Sequence, residues 1–150
     1  MERVMAQGTF DILHPGHLHY LRESASLGDE LYVVIARDSR QTAKKDLFMD
    51  EESRRTVVDA LEIVDAAVLG AEGSIFDSVD RIVPDIITIG HDQDFEPPTL
   101  EATLREHGYS GVDVVQIGPY DDGGVQSSSD VKDRIARRRG VEVFEYTHEK

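Results

Sequence analysis

Two histidines stand three residues apart near the start of the chain, His14 and His17, in the run Gly8-Thr9-Phe10-Asp11-Ile12-Leu13-His14-Pro15-Gly16-His17. A short apolar run, Val4-Met5-Ala6, precedes them, and a segment with helical periodicity, Leu18, Leu21 and Ala25, follows. A strand, a glycine turn and a helix start in that order make an anion site. The first turn of a helix offers amides without intrahelical partners and the positive end of the helix dipole. Imidazoles at this spacing project from one face of that turn. Such a pair can grip phosphates and stabilise charge that builds on them. Gly16 between them lets a ligand approach the backbone closely. His-x-x-His can also bind zinc, but no Cys or further suitably placed His completes a tetrahedral set nearby, and His19 reads as a third histidine by chance. Simple exposure at a helix start is the other bland alternative.

The segments around this run alternate between strand and helix signals. Gly28 reads as a helix stop at a C′ position. Leu31 to Ala36 is continuously apolar, as a strand covered on both faces would be. Arg37 to Asp50 is a polar loop, and Asp50 caps a helix whose Val57, Val58, Leu61 and Val64 recur at helical spacing. Ala66 to Leu69 is a short strand closed by Gly70. Ser74 caps a helix through Phe76, Val79, Ile82 and Val83, ended by Pro84. Ile86 to Ile89 and Val112 to Ile117 are two more strands, separated by a helix led by Pro97 and Pro98 that carries Leu100 and Leu104 and stops near Gly108. Ser127-Ser128-Ser129 precedes a last helix through Val131 and Ile135, and residues 141–150 read as an edge strand, a dimer contact or a loosely held tail.

This order predicts one α/β domain over residues 1–150, a doubly wound parallel sheet with helices on both faces. Ligands of such sheets bind beyond the carboxyl ends of the strands. The informative loops, after Met5, Ala36, Ile89 and Ile117, all fall at that end, which predicts one composite site.

Composition narrows the chemistry. Asp and Glu total 30 against 16 Lys and Arg, a net charge of -14, and only four of the cations are Lys. Such a surface repels nucleic acid and anionic membranes. An acidic coat with few lysines suggests a high-salt, halophilic cytoplasm. No apolar run is long enough to span a bilayer, and the strand-like opening reads as no secretory leader. The absence of cysteine excludes disulfides and thiolate metal sites and fits a cytoplasmic protein. No Gly-x-Gly-x-x-Gly fingerprint is present, which argues against a dehydrogenase. A phosphorylated substrate would need local cations, with divalent metal the obvious supplement.

Gly8-Thr9-Phe10-Asp11 with His14-x-Gly16-His17 resembles the signature of the cytidylyltransferase-like nucleotidyltransferases. Ala36-Arg37-Asp38-Ser39 and Gly90-His91-Asp92-Gln93 narrow the resemblance to archaeal-type FAD synthase, over nearly the whole chain. The resemblance implies transfer of AMP from ATP to FMN, with His14 and His17 on the triphosphate. It implies a triphosphate role for a lysine in the Lys44-Lys45 pair, and nucleotide contacts at Asp92 and near Tyr120. Ser127-Ser128-Ser129 with Lys132 is similar to a Ser-Thr-Thr helix start that binds phosphate oxygens in the glycerol-phosphate cytidylyltransferases. Those relatives carry an arginine shortly before the serines where this chain has Asp121-Asp122-Gly123-Gly124.

The site expected from the resemblance is therefore His14, His17, Lys44 and Lys45 as catalytic groups. ATP would rest on Gly8, Thr9, Phe10, His14, Pro15, Gly16, His17, Asp92, Tyr120 and Ser127 to Ser129. Mg²⁺ or a similar ion would arrive with ATP, and no protein-held metal or tightly bound prosthetic group is expected. Arg54 and Arg55 are weaker candidates for the triphosphate, the alternative being that they only pair with Glu51, Glu52 or Asp59. Arg134 and Arg137 to Arg139 read as a homodimer edge or a counter to the acidic surface. The alternatives are a CTP-dependent cytidylyltransferase for a polyol phosphate, an adenylyltransferase for another phosphorylated vitamin, and a non-catalytic nucleotide sensor.

Overall fold

Runs of Val, Ile and Leu with no charged interruption can be buried on both faces, and here they form the middle of a sheet. In a computed structural model, which describes residues 1–40, 47–91, 96–120 and 128–139, β1 (Arg3–Gly8), β2 (Glu30–Ile35), β3 (Ala66–Leu69), β4 (Ile86–Ile89) and β5 (Asp113–Gln116) pair in parallel in the order β3-β2-β1-β4-β5. The helices are α1 (Pro15–Ala25), α2 (Glu51–Asp59), α3 (Ile75–Ile82), α4 (Pro97–Glu106) and α5 (Ser128–Arg139).

Strand residues alternate between two cores. Val4, Ala6, Leu31, Val33 and Ile35 meet Leu21 of α1 and Val58 of α2. Met5, Val34, Ile87 and Ile89 meet Val79 and Ile82 of α3 and Leu100 and Leu104 of α4. The sheet is thus covered on both sides, as the alternating signals predict. Winding reverses between β1 and β4, and a crevice at that switch point is where an open α/β sheet receives a ligand.

Several local expectations need correction. Gly28 is not a left-handed helix stop: α1 ends at Ser26 in a right-handed conformation, and Gly108 is the glycine with positive φ among the described residues. Gly28 is required instead for close approach, since a Cβ there would lie 2.9 Å from the Glu2 carbonyl oxygen and from Val4 Cγ2. Helix α2 closes at Ala60, so Leu61 and Val64 pack from the following turn, and Val57 is exposed. Val83 does not extend α3. It takes a left-handed C-cap conformation (φ 53°) and points to solvent. On α5, Ile135 is exposed, and Lys132 and Ala136 form the buried face instead. The Asp50 and Ser74 caps are present, with Ser53 N–H donating to Asp50 Oδ1 at 2.8 Å and Phe76 N–H to Ser74 Oγ at 3.1 Å. Residues 141–150 lie outside the described part.

Candidate active site

The loop from β1 into α1 turns sharply because Phe10 adopts a left-handed conformation (φ 54°) that a bulky residue rarely holds. Gly8 makes room for it: a Cβ there would sit 2.8 Å from Phe10 Cε2. The turned ring lies 5.1 Å from the His17 ring and 6.4 Å from that of Tyr20. The Thr9 carbonyl oxygen accepts a 2.8 Å hydrogen bond from Arg54 Nη1. The strained residue is therefore held by packing on one side and a buried cation on the other.

His14 is the N-cap of α1, Pro15 its first residue and Gly16 the next. His14 Nδ1 accepts from the Gly16 N–H at 3.0 Å and from the His17 N–H at 3.4 Å. This corrects the expectation of unpartnered amides at the helix start, because these two belong to an imidazole. A nitrogen that accepts from the backbone carries no hydrogen, so the ring proton resides on Nε2. His14 is buried and its ring stacks on that of His17, with centroids 3.8 Å apart and planes inclined by 25°. The two histidines do share one face, as their spacing requires.

Asp11 forms the next layer. Buried (3% exposed), it accepts from the Phe48 N–H at 3.1 Å and the Met49 N–H at 3.0 Å. It also pairs with Lys132 Nζ at 3.0 Å. Burial pushes its carboxyl pKa up, yet the Phe48 amide, Lys132 and the Met49 amide together outweigh burial and hold it below 3.8. The Lys132 ammonium also lies 4.7 Å from the centre of the Phe48 ring. One carboxylate thus ties the motif loop, the entry to α2 and helix α5 together.

Arg54 is fully buried and does not pair along its helix as the sequence suggests. Its guanidinium donates to the carbonyl oxygens of Thr9, Ala36 and Met49 and binds Asp38 Oδ1 at 2.6 Å. Asp38 and Glu51 also exchange backbone contacts: the Asp38 N–H donates to Glu51 at 2.9 Å and the Glu51 N–H to Asp38 at 3.2 Å. Arg55, by contrast, pairs with Glu52 as its spacing predicts. The chain that enters residues 41–46 and the chain that leaves them are therefore both anchored to the motif loop, through Arg54 on Thr9 and through Asp11.

Lys44, Lys45, Asp92 and Ser127 lie outside the described residues. Ser128 and Ser129 open α5, the helix whose Lys132 reaches Asp11. Tyr120, beyond β5, brings its ring within 5.5 Å of the His19 ring, so His19 and Tyr120 stand on the same flank of α1. Sequence reasoning quoted Asp11 without a role and missed Tyr20. Asp11 offered a signal, a carboxylate inside an otherwise apolar and aromatic turn.

Residues 5–134 match the cytidylyltransferase-like family, and the chain belongs to it. Its place within the family is among the FAD synthases. The FAD synthase of Halalkalicoccus jeotgali is 45% identical over 142 residues, 93% of this chain and 99% of that one. That of Methanohalobium evestigatum is 46% identical over 92% of this chain and 91% of its own length. Among solved structures, the lipopolysaccharide core biosynthesis protein of Thermoplasma volcanium superposes with a TM-score of 0.76 at 49% identity, over 81% of this chain and 99% of that one. Pantothenate synthetase from Thermus thermophilus, at 13% identity and a TM-score of 0.58 over 99% of this chain and 74% of its own, shares the fold alone.

Proposed function

We propose that this enzyme transfers AMP from ATP to the phosphate of FMN, giving FAD and pyrophosphate. One observation carries the chemistry: the His14 ring, with Nδ1 occupied by backbone amides, packs on His17 beside the switch point of the sheet. The FAD synthase relatives, similar over nine-tenths of the chain, support the choice of acceptor.

An FMN phosphate oxygen is already anionic and needs no strong base. It attacks the α-phosphorus in line with the bond to the β-phosphate oxygen. The new O–P bond forms as the old one breaks, and the electron pair leaves on pyrophosphate. The protein's work is alignment and neutralisation of spreading charge. His14 Nε2–H and His17 donate to oxygens of the α-phosphate and the leaving group. Lys44 or Lys45 holds the β- and γ-phosphates. Ser127, Ser128 and Ser129 steady the departing pyrophosphate at the start of α5, while Lys132, one turn further on, anchors that helix to Asp11. Asp92 and Tyr120 hold the nucleoside end, and Gly8, Thr9, Phe10, Pro15 and Gly16 form the floor. A divalent ion on the triphosphate supplies further charge neutralisation when bound. The setting is a salt-rich cytoplasm, to which a net charge of -14 is suited.

The test is product analysis. Purified protein is incubated with ATP or CTP and with FMN or glycerol phosphate, in high-salt buffer with Mg²⁺. FAD from ATP and FMN is the expected product. A CDP-alcohol without FAD, or nucleotide binding without turnover, overturns the proposal.

A further inference from the structure

The two strands that flank the switch point do not pair along their full length. β1 pairs with β2 over six positions, from Arg3 to Gly8. With β4 it pairs at two, Val4 with Ile86 and Met5 with Ile87. If that register continued, the next ladder bond would run from the Gln7 N–H to the Thr88 carbonyl oxygen. A side chain occupies its place. The Gln7 N–H donates to the Tyr20 hydroxyl at 3.1 Å, and that hydroxyl donates to the Thr88 carbonyl oxygen at 2.8 Å.

The wedge is braced from below. Ser24 Oγ donates to the Tyr20 carbonyl oxygen at 2.7 Å and lies 2.8 Å from Thr88 Oγ1, which in turn is 3.3 Å from the Tyr20 hydroxyl. These hydroxyls can donate in one direction round the group, each to an acceptor. A polar cluster satisfied in this way has one favoured arrangement and is stiff. Tyr20 follows His17 by one helical turn, and its ring stacks with Phe10, which packs on His17.

We propose that Tyr20 is a positioning residue. Its hydroxyl replaces one ladder hydrogen bond, holds β1 and β4 apart at the switch point, and fixes α1, hence His17, against that opening. A phenylalanine at this position keeps the ring and loses the wedge. The strands then either zip together through Gln7 and Thr88 or stay apart without the hydroxyl between them, and in each case α1 loses its bond to β1 and keeps β4 only through Ser24 and Thr88.

The inference rests on the proposed transfer to FMN for its kinetic readout, so a structural readout accompanies it. In Tyr20→Phe, turnover per folded molecule is expected to fall about 10–100-fold, the range that a small misplacement of a reacting group produces. In a His17→Ala background the same change is expected to cost almost nothing, because Tyr20 acts through His17. Hydrogen exchange at the Gln7 amide should change at the same time. Turnover within twofold of wild type, equal losses in both backgrounds, or an unaltered Gln7 amide overturns the proposal. Should Tyr20→Phe fail to fold, Thr88→Val removes the bracing hydroxyl alone and is expected to lower turnover severalfold in the same His17-dependent way; an additive loss overturns the proposal equally. An inactive wild type with an altered Gln7 amide in the variant would count against FMN transfer while leaving the wedge standing.

Discussion

Replacing Asp11 by Asn changes almost no volume and removes one charge from a buried pair. The carboxylate accepts from two backbone amides and binds Lys132 at 3.0 Å, and both residues of the pair are buried. The amide's NH₂ would face a donor whichever way it turns, because an N–H or an ammonium approaches both oxygens of Asp11. The ammonium of Lys132 would stay buried without its anion. Breaking one side of such a pair costs about 3–5 kcal/mol, and for a chain of this size that is a drop in Tm of roughly 6–20 °C. Removing both charges, as Asp11→Asn with Lys132→Met, should recover much of it, since a buried ion pair is often no more stable than an apolar replacement.

The pH dependence has a definite sign. The folded carboxyl is held below its ordinary value of 3.8, so its contribution to stability is present above that value and disappears as pH falls through the folded one. Urea denaturation of wild type and Asp11→Asn should therefore give widely separated curves at pH 7 that converge in strong acid. A difference under about 1 kcal/mol at pH 7, or one that is independent of pH, would refute the view that this pair ties the motif loop to α5.

Three further outcomes are expected. His14→Ala and His17→Ala should each lower turnover on the order of 100-fold or more while ATP affinity, read by titration calorimetry, changes little; equal losses in both would count against a transition-state role. Gly8→Ala places a Cβ 2.8 Å from the Phe10 ring, and such overpacking should cost about 1–3 kcal/mol in urea titrations and reduce turnover by displacing the ring from His17. The surplus of acidic side chains should make the fold looser at low ionic strength through self-repulsion, so Tm should rise between dilute buffer and multimolar KCl; a constant Tm removes the high-salt reading.

The strands and two of the helix caps were readable from sequence because both signals are local. Ile86 to Ile89 is apolar at nearly every position since the sheet covers it on both faces, and Asp50 and Ser74 satisfy amides two or three residues ahead. Two of the failures, at Lys132 and Arg54, share one cause, a partner that is distant in the chain. By sequence Lys132 groups with the serines at a phosphate-binding helix start, whereas its ammonium pairs with Asp11, and the apolar spacing of Val131 and Ile135 does not mark the buried face that Lys132 and Ala136 form. Arg54 has acidic neighbours along its own helix but binds Asp38 and three carbonyl oxygens of other segments. The spacing of His14 and His17 predicted a shared face. That the His14 ring would itself take up the first amides of α1 depends on a cap geometry that residue types do not specify.

That geometry bears on how so acidic a protein can handle a triphosphate. A net charge of -14 repels the substrate at long range. Lys132 does not oppose it with a loose cation, because its charge is matched by Asp11 at 3.0 Å. The donors that the described residues gather near the switch point are instead fixed dipoles, above all an imidazole whose tautomer is set by two amides. Charge at a distance is screened within about 3 Å in molar salt, whereas a hydrogen bond made in contact inside a buried site is not. A site built on oriented dipoles is expected to lose little as salt rises, while the same salt suppresses the repulsion that the acidic surface creates. Stability of the fold and access of the anionic substrate are therefore expected to improve together as ionic strength rises; a KM for ATP that does not fall as KCl is added would refute this.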